Sequence, residues 1–138
     1  MAAYVLHYVL LLLLLLGLDA VWLTTMVNRL YKPELGDLLA DGFKPLPAGL
    51  FYLIYAVGVL ALVLAPAMKS GQWTDALWRG ALFGLCAYAT YNLTNLATLR
   101  GWSLQITMAD MVWGAVLTGV AATLAFWIGA RLSRMFGL

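Results

Sequence analysis

Eleven residues, Tyr88-Ala89-Thr90-Tyr91-Asn92-Leu93-Thr94-Asn95-Leu96-Ala97-Thr98, put two amides, two phenols and three threonine hydroxyls at the end of a long apolar stretch. Two carboxylates stand in similarly apolar surroundings, in Asp19-Ala20-Val21-Trp22 and Asp110-Met111-Val112-Trp113. Polar groups are costly in a hydrocarbon setting unless they find partners, and ionisable ones there point first to function. A carboxylate accepts hydrogen bonds. Two carboxylates divide acid and base roles if their surroundings push their pKa values apart. Amides orient a ligand, and tryptophan and tyrosine wall a cavity. The candidate set is therefore Asp19, Trp22, Tyr88, Tyr91, Asn92, Asn95, Asp110 and Trp113. The duller account is that the same groups hydrogen-bond across helices and fix their packing. On either account no metal and no cofactor is expected, and no catalytic residue is assigned.

Other familiar chemistries are missing. The chain has no H-E-x-x-H, no G-x-S-x-G, no phosphate-binding glycine loop and no cysteine pair for zinc. The single histidine, His7, falls far from both carboxylates and is read as an interfacial side chain. The single cysteine, Cys86, excludes an internal disulfide and is read as a buried, inert thiol. Asn92-Leu93-Thr94 matches a glycosylation sequon, but it lies inside a span and is expected to stay unmodified.

Elements that position these residues follow from composition. The chain has 138 residues, 64% hydrophobic and 10% charged, against about 25% charged in soluble domains. Such a chain has lipid as its solvent over most of its length. A net charge of +2 from scattered lysines and arginines gives no basic patch and no expectation of nucleic acid. Four stretches are long enough to cross a bilayer: residues 4–26, 47–68, 76–98 and 106–128. The first lacks the basic start and small-x-small cleavage site of a signal peptide and is read as a retained helix. Short connections make neighbours antiparallel, giving one all-α domain, a four-transmembrane-helix antiparallel bundle. In the first loop, Pro33-Glu34 is expected to open a short interfacial helix and Gly42 to close it, with Leu35, Leu38 and Leu39 on one face.

Depth then brings the candidates together. Counting at 1.5 Å per residue, Asp19 lies about 10 Å below Met26, Asn92 about 9 Å below Thr98, and Asp110 about 6 Å into the last span. All three fall in the half of the bilayer next to the long first loop. Arg29 or Arg100 is placed to reach down as a counter-ion, and Tyr52 and Tyr55 face either the same cavity or lipid. Gly80 and Gly84 form a G-x-x-x-G pair, and Gly114, Thr118 and Ala122, with Ala115, Gly119 and Thr123, repeat at four. Such rows mark helix contacts in lipid, within the chain or as a homodimer seam through Gly80/Gly84. The leucine-rich first span is expected to face lipid or pack loosely.

The runs Leu18-Asp19-Ala20-Val21-Trp22-Leu23, Tyr91-Asn92-Leu93-Thr94-Asn95-Leu96-Ala97-Thr98-Leu99 and Asp110-Met111-Val112-Trp113-Gly114 resemble a bacterial membrane-protein family catalogued as domain of unknown function 2177. The resemblance implies four spans and a bacterial inner membrane, and it supplies no activity and no catalytic residues. An even number of spans puts both termini on one side, read as the cytoplasm from Arg131 and Arg134 flanking the last span. Three functions are weighed: a pocket that binds or acts on a lipid or small amphiphile, a structural or accessory subunit, and a small proton-coupled carrier.

Overall fold

The computed structural model describes residues 1–138, entirely helical apart from short connections. Helix α1 (Ala2–Met26) runs through a π-helical turn (Val27–Tyr31) into α2 (Lys32–Leu35) and a 3-10 turn (Gly36–Leu38). Helix α3 (Pro45–Val59) likewise runs through a π-helical turn (Leu60–Leu64) into α4 (Ala65–Ser70). Then come α5 (Trp73–Thr98) and α6 (Leu104–Phe136). The result is four long rods joined by short links.

Both π turns have a sequence cause. Each precedes a proline, Pro33 or Pro66. Proline lacks the N–H for the bond to residue i−4, and its ring crowds that carbonyl. Those carbonyls belong to Arg29 and Leu62, each inside a π turn. Widening the turn by one residue relieves the clash without ending the rod. Pro33 therefore does not open a separate helix. The short helix of the first loop is Lys32–Leu35, continuous with α1, and it ends at Gly36 rather than Gly42.

Contacts between rods fix their direction. Gly80 meets Gly119, and Gly84 meets Gly114, so α5 and α6 run antiparallel. His7 meets Gly129 and Trp22 stacks on Trp113, so α1 and α6 do the same. The α5–α6 seam is the most extensive in the molecule. A Cβ on Gly84 would overlap the Gly114 carbonyl oxygen, so the backbones touch there because neither residue has a side chain. Of the two readings of the Gly80/Gly84 pair, a contact within the chain or a homodimer seam, the structure supports the first: both glycines are buried against α6.

Helix α1 is also more deeply engaged than its leucine run suggests. His7, Leu11, Leu15 and Asp19, at steps of four, are all buried. Leu11 and Leu15 join Val59, Val63, Leu64, Leu117 and Ala121 in one core. Leu12 and Leu14 flank that core half-buried, and Leu13 and Leu16 are exposed, so a uniform sequence hides an inward stripe. Cys86 goes the other way and lies exposed on the outer face of α5, not buried.

Three rods, Ala2–Leu38, Pro45–Ser70 and Leu104–Phe136, are long and apolar enough to cross a membrane. Rod α5 has the length, with 26 residues, but falls short in hydropathy. Its polarity is largely self-contained. Thr90, Thr94 and Thr98 donate to the carbonyls of Cys86, Thr90 and Thr94 at 2.7, 2.5 and 2.7 Å. A hydroxyl bonded to its own helix can face lipid with no partner elsewhere.

Candidate functional site

Asp19 and Asp110 both point into the bundle, and neutral donors hold each one. The Trp113 indole donates to Asp19 Oδ1 at 2.8 Å, and the Tyr52 hydroxyl donates to Asp19 Oδ2. The Tyr31 hydroxyl donates to Asp110 Oδ1, and the Asn92 amide to Asp110 Oδ2 at 3.3 Å. Trp22 closes the circuit. Its ring lies flat on Trp113, centroids 4.5 Å apart and planes 6° apart, while its indole N–H donates to the Tyr31 hydroxyl at 2.9 Å. The circuit runs Tyr52, Asp19, Trp113, Trp22, Tyr31, Asp110, Asn92 and ties α1, its π turn, α3, α5 and α6 together. Neither Arg29 nor Arg100 is a hydrogen-bond partner of either carboxylate, so the expected counter-ion is replaced by phenol and indole donors.

Five of these residues, Asp19, Trp22, Tyr31, Asp110 and Trp113, line a cavity of about 520 Å³. Asp19 and Asp110 give it two acids; Trp22, Trp113, Tyr31, Tyr55, Tyr88, Tyr91 and Phe51 give it aromatic walls, completed by Leu23 and Ala87. No lysine, arginine or histidine is among the lining residues. Tyr55 and Tyr52 resolve inward: Tyr55 lines the cavity and hydrogen-bonds Thr118 at 2.7 Å, and Tyr52 holds Asp19. Tyr88 reaches the site by packing over Gly114, where any Cβ would overlap its ring. Tyr91 sits at the mouth, 57% exposed and edge-on to Trp102 at 5.7 Å.

Asn92 is fully buried and its orientation follows from its partners. Its NH2 donates to Tyr88 O at 3.1 Å and to Asp110, which leaves Oδ1 buried with no donor. The donors of Trp22, Tyr31, Tyr52, Asn92 and Trp113 are thus all engaged within the network. Asn95 does not belong to the set: it lies one turn on, half-buried, and neither lines the cavity nor makes a side-chain hydrogen bond to it.

Tyr31 is the site residue that sequence reasoning misses, since it lies beyond the end of the first expected span, residues 4–26. In an unbroken helix, nine residues on from Trp22 lands on about the opposite face. The π turn absorbs one residue and swings Tyr31 back to within about 80° of Trp22. Proline four residues after Arg29 was the available signal. Beyond Tyr31, Glu34 accepts from Ser103, the N-cap of α6, at 2.5 Å, fastening the end of the first rod beside the cavity.

No three His, Cys, Asp or Glu side chains come together to hold a metal ion. His7, read as interfacial, is instead buried at the far end of the bundle with 2% of its surface exposed. Its ring fits against Gly129, where a side chain would collide with it.

The comparisons with known proteins give a family. The model of a family described as "Predicted membrane protein (DUF2177)" matches residues 4–127. No curated protein and no solved structure matches the chain. The chain belongs to this predicted membrane protein family.

Proposed function

We propose that this membrane protein binds a small amphiphile in the cavity between α1, α3, α5 and α6, and that the ligand enters with a cationic or hydrogen-bond-donating head. One observation carries the reading: two carboxylates line an otherwise aromatic and apolar cavity that has no basic residue in its wall. An anionic head is repelled by that wall. An ammonium head is attracted by both carboxylates and by the ring faces around them. The apolar remainder of the wall suits a hydrocarbon or aromatic body.

Each carboxylate oxygen has a single protein donor, and a carboxylate has about four lone-pair sites. A ligand donor therefore adds to the existing bonds and displaces none. The cavity lies beside the long first loop, so under the proposed four-span topology it opens in the outer half of the bilayer, with the termini in the cytoplasm. A core of Leu11, Leu15, Val63, Leu64 and Leu117 fills the bundle between the cavity and the other end, which weighs against a carrier.

The test is a titration of purified protein in detergent with an alkylammonium amphiphile and its alkyl sulfate counterpart, read by tryptophan fluorescence. Trp22 and Trp113 line the cavity, so saturable quenching is expected with the cation alone. Equal, unsaturable responses to both heads would refute the reading. A second reading, that the network only fixes helix packing, rests on its links to four rods. It expects Asp19→Asn to change stability and no ligand response to exist.

A further inference from the structure

The opposite end of the bundle holds a second cavity, of about 710 Å³, between the start of α1, the turn after α4 and the end of α6. Its wall has the reverse electrostatic character. Arg131 and Arg134 line it, with no acidic side chain among the lining residues. Arginines near the end of a span are ordinary by themselves. Two buried groups beside them are not.

The first is His7. Its Nδ1 lies 2.6 Å from Ala3 O, which can only accept, so that nitrogen carries the proton. Nε2 is then an acceptor with no protein partner, on a residue only 2% exposed that lines the cavity. Gly129 leaves the space that lets the ring sit there. The second is Ser133. It lines the same cavity, and its Oγ is buried without a hydrogen-bond partner. An i−4 carbonyl is the usual acceptor for a helical serine, and here that bond is not made. A buried hydroxyl without a partner is costly in an apolar setting, so the site is incomplete as the protein alone forms it.

We propose that this cavity seats a phosphate monoester or inorganic phosphate, with Arg131 and Arg134 supplying charge, Ser133 Oγ donating to a phosphate oxygen and His7 Nε2 accepting from a phosphate hydroxyl. Arg134 is already partly oriented, because its Nε donates to Ala130 O at 3.2 Å and leaves the terminal guanidinium nitrogens available. The guanidinium fork matches phosphate oxygens in pairs. Phe126, Trp127 and Met68 form an apolar flank on which the rest of a phosphate-bearing molecule would lie. The phosphate comes either from a lipid headgroup or from solution, and the two sources present the same chemistry to the four residues.

The experiment is native mass spectrometry of the detergent-solubilised chain with phosphatidic acid or phosphatidylcholine added, beside thermal unfolding in inorganic phosphate or in chloride of equal ionic strength. The variants are R131Q/R134Q, whose residues are exposed and leave the core intact, and His7→Gln, with Arg29→Gln as a cation control at the other end. A one-to-one phosphatidic acid adduct, weakened at least ~10-fold in R131Q/R134Q and unchanged in Arg29→Gln, supports a headgroup site. Stabilisation by inorganic phosphate that is lost in the same double variant supports a soluble source. His7→Gln should weaken either response if it folds; the double variant decides the matter if it does not. Equal adducts with phosphatidic acid and phosphatidylcholine, or responses identical in wild type and R131Q/R134Q, overturn the proposal.

Discussion

At the level of single residues, the network separates groups that hold the bundle from groups that meet a ligand. Tyr31 bridges Trp22 and Asp110 through one hydroxyl. Tyr31→Phe removes that oxygen and leaves an indole N–H and a carboxylate oxygen each short of a partner. Loss of a hydrogen bond to a charged group costs about 1.5–3 kcal/mol, so a fall in thermal stability of that order is expected in detergent. Asp110→Asn has a different signature. The amide keeps the shape but removes the charge that an ammonium head would meet, so affinity for the cationic amphiphile should fall about 10- to 100-fold. Unchanged affinity in both Asp19→Asn and Asp110→Asn would remove the carboxylates from the binding account. Much of this cluster was legible beforehand. Asp19, Trp22, Asn92, Asp110 and Trp113 could be brought to one level because helical rise converts sequence position into depth. Depth does not give azimuth: Asn95 shares the level but is not part of the cavity wall, and Tyr31 reaches that wall only because a π turn changes the phase of the helix.

At the level of elements, close approach of α5 and α6 sets the geometry of the cavity wall. Tyr88 and Asn92 follow Gly84 on α5, and Asp110 and Trp113 precede Gly114 on α6, so pushing the rods apart at Gly84 moves both walls. Gly84→Ala introduces an overlap with the Gly114 carbonyl and the Thr118 hydroxyl that neither rigid backbone can relieve. Overpacking of this kind costs about 1–3 kcal/mol, and a matching drop in the unfolding midpoint is expected. Gly17→Ala is the control. No atom lies within 4 Å of its added Cβ, and alanine favours helix by about 1 kcal/mol over glycine, so its midpoint should hold or rise. A Gly84→Ala variant as stable as Gly17→Ala would mean the seam is looser than the structure shows. The G-x-x-x-G spacing was legible as a contact row; its partner was not, because a row of small residues fits a neighbouring rod of the same chain as well as one of another.

For the molecule as a whole, the question is whether α5 crosses the bilayer with the other three rods. Composition alone leaves it short, since its polar residues lower its hydropathy. Structure supplies the compensation: its threonine hydroxyls bond to its own carbonyls, Asn92 is enclosed, and its glycines lie on α6. An antiparallel seam along most of both rods also leaves α5 little freedom to lie flat while α6 spans. The two loop ends of the bundle should therefore face opposite sides. In a Cys86→Ala background, single changes Asp37→Cys, Gln72→Cys, Arg100→Cys and Leu138→Cys place one thiol on each connection or terminus. A membrane-impermeant maleimide applied to sealed, oriented vesicles should label Asp37→Cys and Arg100→Cys from one side, and Gln72→Cys and Leu138→Cys only from the other. Labelling of Arg100→Cys together with Gln72→Cys would place both ends of α5 on one face. The cavity between α5 and α6 would then lie at a membrane surface instead of within a leaflet, and the amphiphile reading would lose the geometry on which it depends.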